Sequence, residues 1–190
     1  MNSLGEKKEQ LEYRNLKNKD ILFETVKQCQ DGDAAAMEYI YNAYKSSFFN
    51  LAYRFTRDHA LTEDLLQDIF LKIYTNIKKL RSPEAFNSWI YRIATNTCMS
   101  FARKKGKTRE ISLMEVGDVS APENNDNQIR LQLERAMDVL PPKQKIVFQL
   151  HDVQGFTNSE IANIMRCSEG TAKSQLFKAR KKIRDHFRSK

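Results

Sequence analysis

The side chains best suited to chemistry lie near the carboxyl terminus, where basic, hydroxyl and aromatic residues share one predicted helix face. They recur at intervals of three and four residues, as Ser174, Phe177, Lys178 and Lys181. Lysines pair with phosphates, hydroxyls reach base edges, and an aromatic edge packs on a thymine methyl. From Lys173 to Lys190, eight lysines and arginines outnumber a single acid. This face predicts binding to duplex DNA.

Two short helices joined by a turn would position that face. Thr157 and Glu160, three residues apart, predict a capping box at the start of the first helix. Ser168 is a suitable N-cap for the second helix, whose apolar stripe faces inward: Ala172, Leu176, Ala179 and Ile183. The arrangement predicts a helix-turn-helix with Ser168 to Arg184 as recognition helix. A basic surface helix in an ordinary bundle is the alternative.

The composition favours a helical protein that lacks a catalytic or metal centre. The 190 residues are 41% hydrophobic and 29% charged, with only 6 Gly and 4 Pro. A net charge of +8 fits either a polyanionic partner or simple solubility. Three cysteines and three histidines are scattered without disulfide or metal-ligand spacing. We therefore expect no enzyme activity, no cofactor and no metal.

Neither a signal peptide nor a bilayer-spanning apolar run is visible in the sequence. We therefore expect a soluble, cytoplasmic protein without membrane insertion.

The first half predicts a helical domain over residues 20–105, after a charged tail at 1–19. Asp33 should cap a long helix with Tyr41 among its inward aromatic residues, and Thr62 should cap the next helix. The outer face of that next helix combines carboxylates with an apolar side chain: Asp64, Gln67, Asp68 and Leu71. The face predicts a protein-contact patch, although single exposed apolar residues are also common.

The following helix begins after a loop at 81–85 and shows aromatic and cationic side chains opposite its apolar stripe. Tyr91, Arg92 and Arg103 lie on that face, whereas Trp89 lies in the stripe. Rings stack on unpaired bases and cations hold the backbone, so the face predicts contact with single-stranded nucleic acid. A solvated polar face is the alternative.

A linker is predicted at residues 106–127, which have weak periodicity and more acids than bases. Helical spacing resumes near Gln128, and Gly155 ends the helix that precedes the helix-turn-helix. The predicted fold is therefore all-α: two small helical domains joined by a flexible linker, the second a four-helix domain over residues 128–190.

The ordered motifs resemble bacterial sigma factors of the extracytoplasmic-function type over residues 20–188. The first half contributes TEDLLQDIFLKIY and FNSWIYRIATN; the second contributes LPPKQKIVFQL, GFTNSEIANIM and SEGTAKSQLFKARKKI. The resemblance implies a promoter-specificity subunit that binds RNA polymerase core and directs it to promoter DNA. The first domain would take the melted minus-ten strand, with a flipped base, and the second the minus-thirty-five duplex.

The resemblance also implies residue roles. Polymerase core would be contacted by Asp64, Gln67, Asp68 and Leu71. The minus-ten strand would be contacted by Arg81, Tyr91, Arg92, Asn96 and Arg103. The minus-thirty-five duplex would be contacted by Thr171, Lys173, Ser174, Phe177, Lys178 and Lys181. An anti-sigma factor, membrane-bound or soluble, is a further partner that the sequence does not decide.

Four positions depart from the usual family pattern. Ser100 stands where Asp is usual, Arg166 stands at the usual turn glycine, and Ala172 and Gln175 replace Val and Arg. Arg166 is expected to fit if its φ is negative. Gln175 weakens any transfer of the family's promoter preference, because Gln and Arg present different hydrogen-bonding groups.

An autonomous helix-turn-helix activator or repressor is the competing hypothesis. A dimeric repressor should show a dimerisation element and bind a palindrome without polymerase. The sequence shows no heptad seam for such a dimer.

Overall fold

The chain is described here by a computed structural model covering residues 22–109 and 125–188. These ranges form helices and contain no strand. In order, they are α1 (22–31), α2 (Ala34–Thr56), α3 (His59–Asn76), α4 (Phe86–Arg109), α5 (Asn125–Asp138), α6 (Pro142–Phe148), α7 (Asn158–Met165) and α8 (Glu169–Arg188). The all-α prediction is confirmed, whereas the tail at 1–19 and residues 110–124 of the predicted linker lie outside the described residues.

Helices α1 to α4 form a bundle around aromatic and branched side chains. Phe48, Ile69, Phe86 and Ile90 are fully buried at its centre. The Asp33 side chain accepts a hydrogen bond from the Ala36 amide at 3.0 Å, so the predicted cap of α2 is present. Short 3₁₀ turns at Ile77–Lys79 and Pro83–Ala85 connect α3 to α4.

Two expectations for this bundle were wrong. The cap of α3 is Asp58, which accepts from the Leu61 amide at 2.8 Å. Because α3 starts one turn earlier than expected, Thr62 lies inside the helix, buried, and its hydroxyl bonds to the Asp58 carbonyl oxygen. Tyr41 is 37% exposed; its ring lies at the bundle edge, 4.7 Å from the Phe70 ring.

Helices α5 to α8 pack around their own small apolar cluster. Met137, Phe148, Ala179 and Ile183 are among its buried members. A π-helical turn at Gln149–Val153 continues α6, and Gly155, with φ +79°, ends this stretch before α7. The second half therefore supplies a framework on which α7 and α8 form the predicted helix-turn-helix.

The two halves also touch each other. Helix α4 packs against α6 and α7, and α2 packs against α5 and α6. One apolar cluster runs through both halves and includes Tyr91 of α4 and Ile161 of α7. The placement of the second half therefore decides how much of the α4 face is accessible.

Candidate nucleic-acid interface

The helix-turn-helix has the local contacts expected from its sequence. The Thr157 hydroxyl accepts from the Glu160 amide at 3.2 Å, and the Glu160 carboxylate accepts from the Thr157 amide at 2.8 Å. Ser168 Oγ accepts from the Thr171 amide at 3.1 Å. The predicted capping box and the predicted N-cap of α8 are therefore both confirmed.

Helix α8 turns the predicted contact face to solvent. Its buried stripe is the predicted one: Ala172, Leu176, Ala179 and Ile183. All six predicted contact residues are exposed: Thr171, Lys173, Ser174, Phe177, Lys178 and Lys181. Phe177 is 64% exposed, although a phenylalanine normally lies in a core. A protruding ring between lysines suits a groove lined by phosphates and methyl groups.

The first turn of α8 is ordered by its own polar groups. The Ser174 hydroxyl donates to the Thr171 carbonyl oxygen at 3.0 Å, and the Thr171 hydroxyl lies 2.8 Å from Ser168 Oγ. Lys173 pairs with Glu169 at 2.8 Å in an exposed ion pair. Exposed pairs of this kind contribute at most about 1 kcal/mol, so a phosphate can replace the carboxylate as partner of Lys173.

A pairing that the sequence did not reveal anchors the middle of α8. Arg180 donates two hydrogen bonds to the carboxylate of Asp152, which lies in the π-helical turn. Its Nε lies 2.9 Å from Asp152 Oδ2, and its Nη2 bonds to Asp152 Oδ1. Bonding to Arg180 holds the pKa of Asp152 below its usual range, and the same pair raises the pKa of Arg180. Arg180, Lys181 and Lys182 are all exposed, and Arg180 positions α8 through its bonds to Asp152.

The turn between α7 and α8 departs from expectation. Arg166 caps α7 with φ +51° and ψ +53°, in the left-handed region that favours glycine. Arg166 therefore does not meet the condition of a negative φ under which it was expected to fit, because the C-cap geometry here is the same as that of the usual glycine. The Arg166 amide donates to the Ala162 carbonyl oxygen and closes the helix end.

The α4 face is only partly accessible. Arg81, Asn96 and Arg103 are exposed, and Arg103 Nη2 lies 3.1 Å from Ser100 Oγ. Arg92 is half-buried and donates to the Asn163 carbonyl oxygen of α7 at 2.8 Å. Tyr91 is 6% exposed, so its predicted outward placement was wrong. Its ring lies 4.7 Å from the Phe156 ring, which belongs to the second half of the chain.

A groove between α3 and α4 joins residues that are distant in sequence. It has a volume of about 460 Å³, and its walls include Lys72, Lys79, Trp89 and Asn96. The predicted core residue Trp89 is thus half-buried at a groove wall. An indole surface, an amide and two ammonium groups can stack on a base, bond to its edge and hold its phosphates. Sequence reasoning found Asn96 but missed Lys72 and Lys79, because helix packing alone brings them together.

Ion pairing links this groove to the predicted protein-contact patch. Lys72 Nζ lies 2.6 Å from Asp68 Oδ2 and 3.3 Å from Thr97 Oγ1. Asp68 is half-buried, whereas Asp64 and Gln67 are exposed and Leu71 is 61% exposed. Leu61, also exposed and one turn before Asp64, extends the patch and was missed by the sequence reasoning.

Two of the three cysteines, Cys29 and Cys98, are buried. Burial raises the pKa of Cys29 to about 11 and likewise raises the pKa of Cys98. Among residues 22–109 and 125–188, no group of three or more His, Cys, Asp and Glu side chains is placed to hold a metal ion. None of the helices in those ranges is both long and apolar enough to cross a bilayer.

Comparisons with known proteins match both halves of the chain. Residues 40–108 match the family model Sigma-70 region 2, and residues 130–183 match Sigma-70, region 4. The chain is 30% identical to the ECF RNA polymerase sigma-E factor of Haemophilus influenzae, over 83% of this chain and 90% of that protein. It is 29% identical to the ECF RNA polymerase sigma factor SigE of Mycolicibacterium smegmatis, over 82% of this chain and 64% of that relative.

A solved structure shows the same fold. It is the sigma factor RpoE of Bartonella quintana, in complex with the anti-sigma factor NepR. The TM-score is 0.65 at 20% sequence identity, and the match covers 80% of this chain and 96% of that chain.

Proposed function

Because the chain belongs to the extracytoplasmic-function type of RNA polymerase sigma factors, we propose a role for each of its three polar surfaces. The chain is a promoter-recognition subunit of RNA polymerase that directs transcription initiation. It acts by binding, not by catalysis, and works in the cytoplasm. Residues 20–105 form the minus-ten and polymerase-binding domain, and residues 128–190 form the minus-thirty-five domain. Residues 106–127 link them, although 106–109 belong to α4 and 125–127 belong to α5.

The outer face of α8 reads the minus-thirty-five duplex. The observation that carries this proposal is the exposure of Phe177 among lysines, on a helix whose opposite stripe is buried. In helix-turn-helix docking, the N-terminal part of the recognition helix reaches base edges. Ser174 and Lys178 therefore select bases, together with Thr171, Lys173 and Phe177, whereas Lys181 and Lys182, further along the helix, hold the backbone.

The groove between α3 and α4 takes the melted minus-ten strand. Trp89 and Asn96 offer a stacking surface and an amide at one wall, and Lys72 and Lys79 supply positive charge at the other. Arg81 and Arg103 lie exposed on the same domain and extend the basic track, to which half-buried Arg92 adds a further positive charge. Tyr91 is buried between Phe48 and Phe156, so its ring has to move before a base can stack on it. Stacking of one base on a ring contributes roughly 1–3 kcal/mol.

The outer face of α3 binds polymerase core. Exposed Leu61 and Leu71 provide apolar contact, and Asp64, Gln67 and Asp68 provide polar contact between them. A solved sigma factor with this fold binds an anti-sigma factor, so such a factor, soluble or membrane-anchored, is a further partner to test for this chain.

A selection on randomised minus-thirty-five sites, with purified polymerase core, tests the α8 assignment. Ser174→Ala and Lys178→Ala should recover sites that differ from the wild-type site, with a change of about 1–3 kcal/mol at the affected base pair. Lys182→Ala is the matched control: it should recover the wild-type site, with weaker binding and a smaller salt dependence. Recovery of the wild-type site by Lys178→Ala and of a new site by Lys182→Ala would refute the assignment.

A further inference from the structure

One side chain of α1 holds the turn at the end of α3 through two hydrogen bonds. Gln30 Nε2 donates to the Ile77 carbonyl oxygen at 3.0 Å and to the Leu80 carbonyl oxygen at 2.7 Å. We infer that Gln30 is a positioning residue for minus-ten recognition, because it fixes the turn that carries Lys79 and Arg81. The role in base selection rests on the function proposed for the groove between α3 and α4.

Helix α1 holds Gln30 in a fixed position. Val26, one turn before Gln30, and Cys29, next to it, are both fully buried in the first bundle. Gly32 follows the helix with φ +95°, and its amide donates to the Cys29 carbonyl oxygen at 3.1 Å. The Gln30 amide therefore projects from a packed and capped helix end.

The two acceptors lie where the chain leaves the helical path. Ile77 begins the 3₁₀ turn that follows α3, and Leu80, with φ −72° and ψ 112°, is already extended. The carbonyl groups at such an end lack partners within the helix. Both residues are buried, so a carbonyl oxygen that loses its donor here is costly. Without Gln30, the turn should shift until these oxygens reach another donor or water.

The same turn carries polar side chains of the groove. Asn76 and Lys79 lie in its wall, and Lys79 Nζ donates to Asn76 Oδ1 at 2.9 Å. Arg81, which is exposed, directly follows Leu80. These side chains alternate along the turn with the two residues whose carbonyl groups Gln30 bonds. A shift of the turn would therefore displace an amide, an ammonium group and a guanidinium group together.

The loop beyond Arg81 is closed by its own hydrogen bonds. The Ser82 hydroxyl bonds to the Glu84 carboxylate, and the Ala85 amide donates to the Ser82 carbonyl oxygen at 3.0 Å. The bond from Ser82 is the main cause that lowers the pKa of Glu84, and the positive charge of Lys27 on α1 lowers it further. Helix α1 thus lies beside the loop as well as the turn, and the closed loop should move with the turn.

Loss of the Gln30 bonds should affect base selection more than general DNA binding. Base edges are read through hydrogen bonds that need well-aligned donors and acceptors, so small displacements weaken them. Phosphate contacts position the strand but carry no sequence information directly. A displaced turn should still attract the strand through Lys79 and Arg81, but it should discriminate less between bases.

A selection on randomised minus-ten sites, with holoenzyme assembled from purified polymerase core, tests this role. Gln30→Met keeps a side chain of similar length but removes the donor. It should lower the preference for the wild-type base roughly tenfold at one or more minus-ten positions and leave the minus-thirty-five preference unchanged. Gln30→Lys, whose ammonium group can donate to both carbonyl oxygens, should restore most of the preference. Gln28→Met is the matched control on the exposed face of α1 and should recover the wild-type site.

Wild-type discrimination by Gln30→Met would overturn the positioning role. A loss that Gln28→Met shares, that extends to the minus-thirty-five site, or that Gln30→Lys does not reverse would also overturn it. If Gln30→Met does not fold by circular dichroism, Gln30→Asn takes its place, because its amide is one methylene too short to reach both oxygens.

Separate variants test the groove itself. Lys79→Ala and Arg81→Ala holoenzymes should bind a minus-ten single strand, taken from the promoter selected with wild-type holoenzyme, more weakly than wild type. Wild-type binding by both would refute the function proposed for the groove. Weaker binding by both, together with wild-type discrimination by Gln30→Met, would leave that function intact and refute only the role of Gln30.

Discussion

Replacement of Arg166 by glycine should stabilise the helix-turn-helix. Arg166 adopts φ +51° and ψ +53° at the C-cap of α7, and its backbone amide closes the helix on the Ala162 carbonyl oxygen. The turn therefore requires the left-handed conformation at this position. Glycine adopts that conformation without the steric cost of a Cβ atom, so Arg166→Gly keeps the hydrogen bond and removes the strain.

Two opposing contributions set the size of the effect. A left-handed L-residue costs about 1–2 kcal/mol. Glycine removes this cost but loses about 0.5–1 kcal/mol more conformational entropy on folding. The net gain should be about 0.5–1 kcal/mol in the free energy of unfolding. With a slope of about 2 kcal/mol per molar urea, the midpoint should rise by roughly 0.3–0.5 M.

Urea unfolding of the full chain, followed by circular dichroism, measures this gain. Arg166→Ala is the matched control, because it removes the side chain and its charge near Arg92 but keeps a Cβ atom at positive φ. Arg166→Gly should be more stable than Arg166→Ala by about 1 kcal/mol. If the two variants unfold at the same urea concentration, the backbone of Arg166 is not strained and the reasoning is refuted.

Three further outcomes are expected. Asp64→Lys with Asp68→Lys should weaken binding to polymerase core without loss of helicity; unchanged affinity in titration calorimetry would remove the α3 assignment. Thr157→Ala should cost about 1 kcal/mol in urea unfolding, because the capping box is lost; an equal midpoint would contradict this. The depressed pKa of Asp152 stabilises the fold above its unfolded pKa near 4, so wild type should lose more stability than Asp152→Asn between pH 5 and 3. If wild type and Asp152→Asn lose the same stability over this pH range, Arg180 does not anchor α8.

The sequence alone determined the parts of this protein that depend on local spacing. The capping box of Thr157 and Glu160, the N-cap at Ser168 and the buried stripe of α8 were all predicted, because each depends on residues within a few turns of one helix. The family was also predicted, and the match to sigma factors confirms it. The exposure of the α8 face followed from the same periodicity.

Local sequence patterns did not predict the start of α3 or the backbone conformation at the end of α7. The start of α3 was placed at Thr62, because a threonine followed by two acids is typical of a helix start. Asp58 competes for the same role and captures the Leu61 amide, so the helix begins earlier. The positive φ of Arg166 could not be predicted from the sequence, because the residue at this position is not glycine.

Only the tertiary structure decided which residues meet across the chain. The pairing of Arg180 with Asp152, the groove that adds Lys72 and Lys79 to Asn96, and the contact of Arg57 with α5 all join separate helices. Helical periodicity specifies which side of a helix is polar but not what covers that side. Tyr91 lies on the face that the periodicity assigned to solvent, yet its ring is buried between Phe48 of α2 and Phe156 of the second half. Long-range packing of this kind has no local pattern in the sequence, because it depends on how two separately folded surfaces fit together.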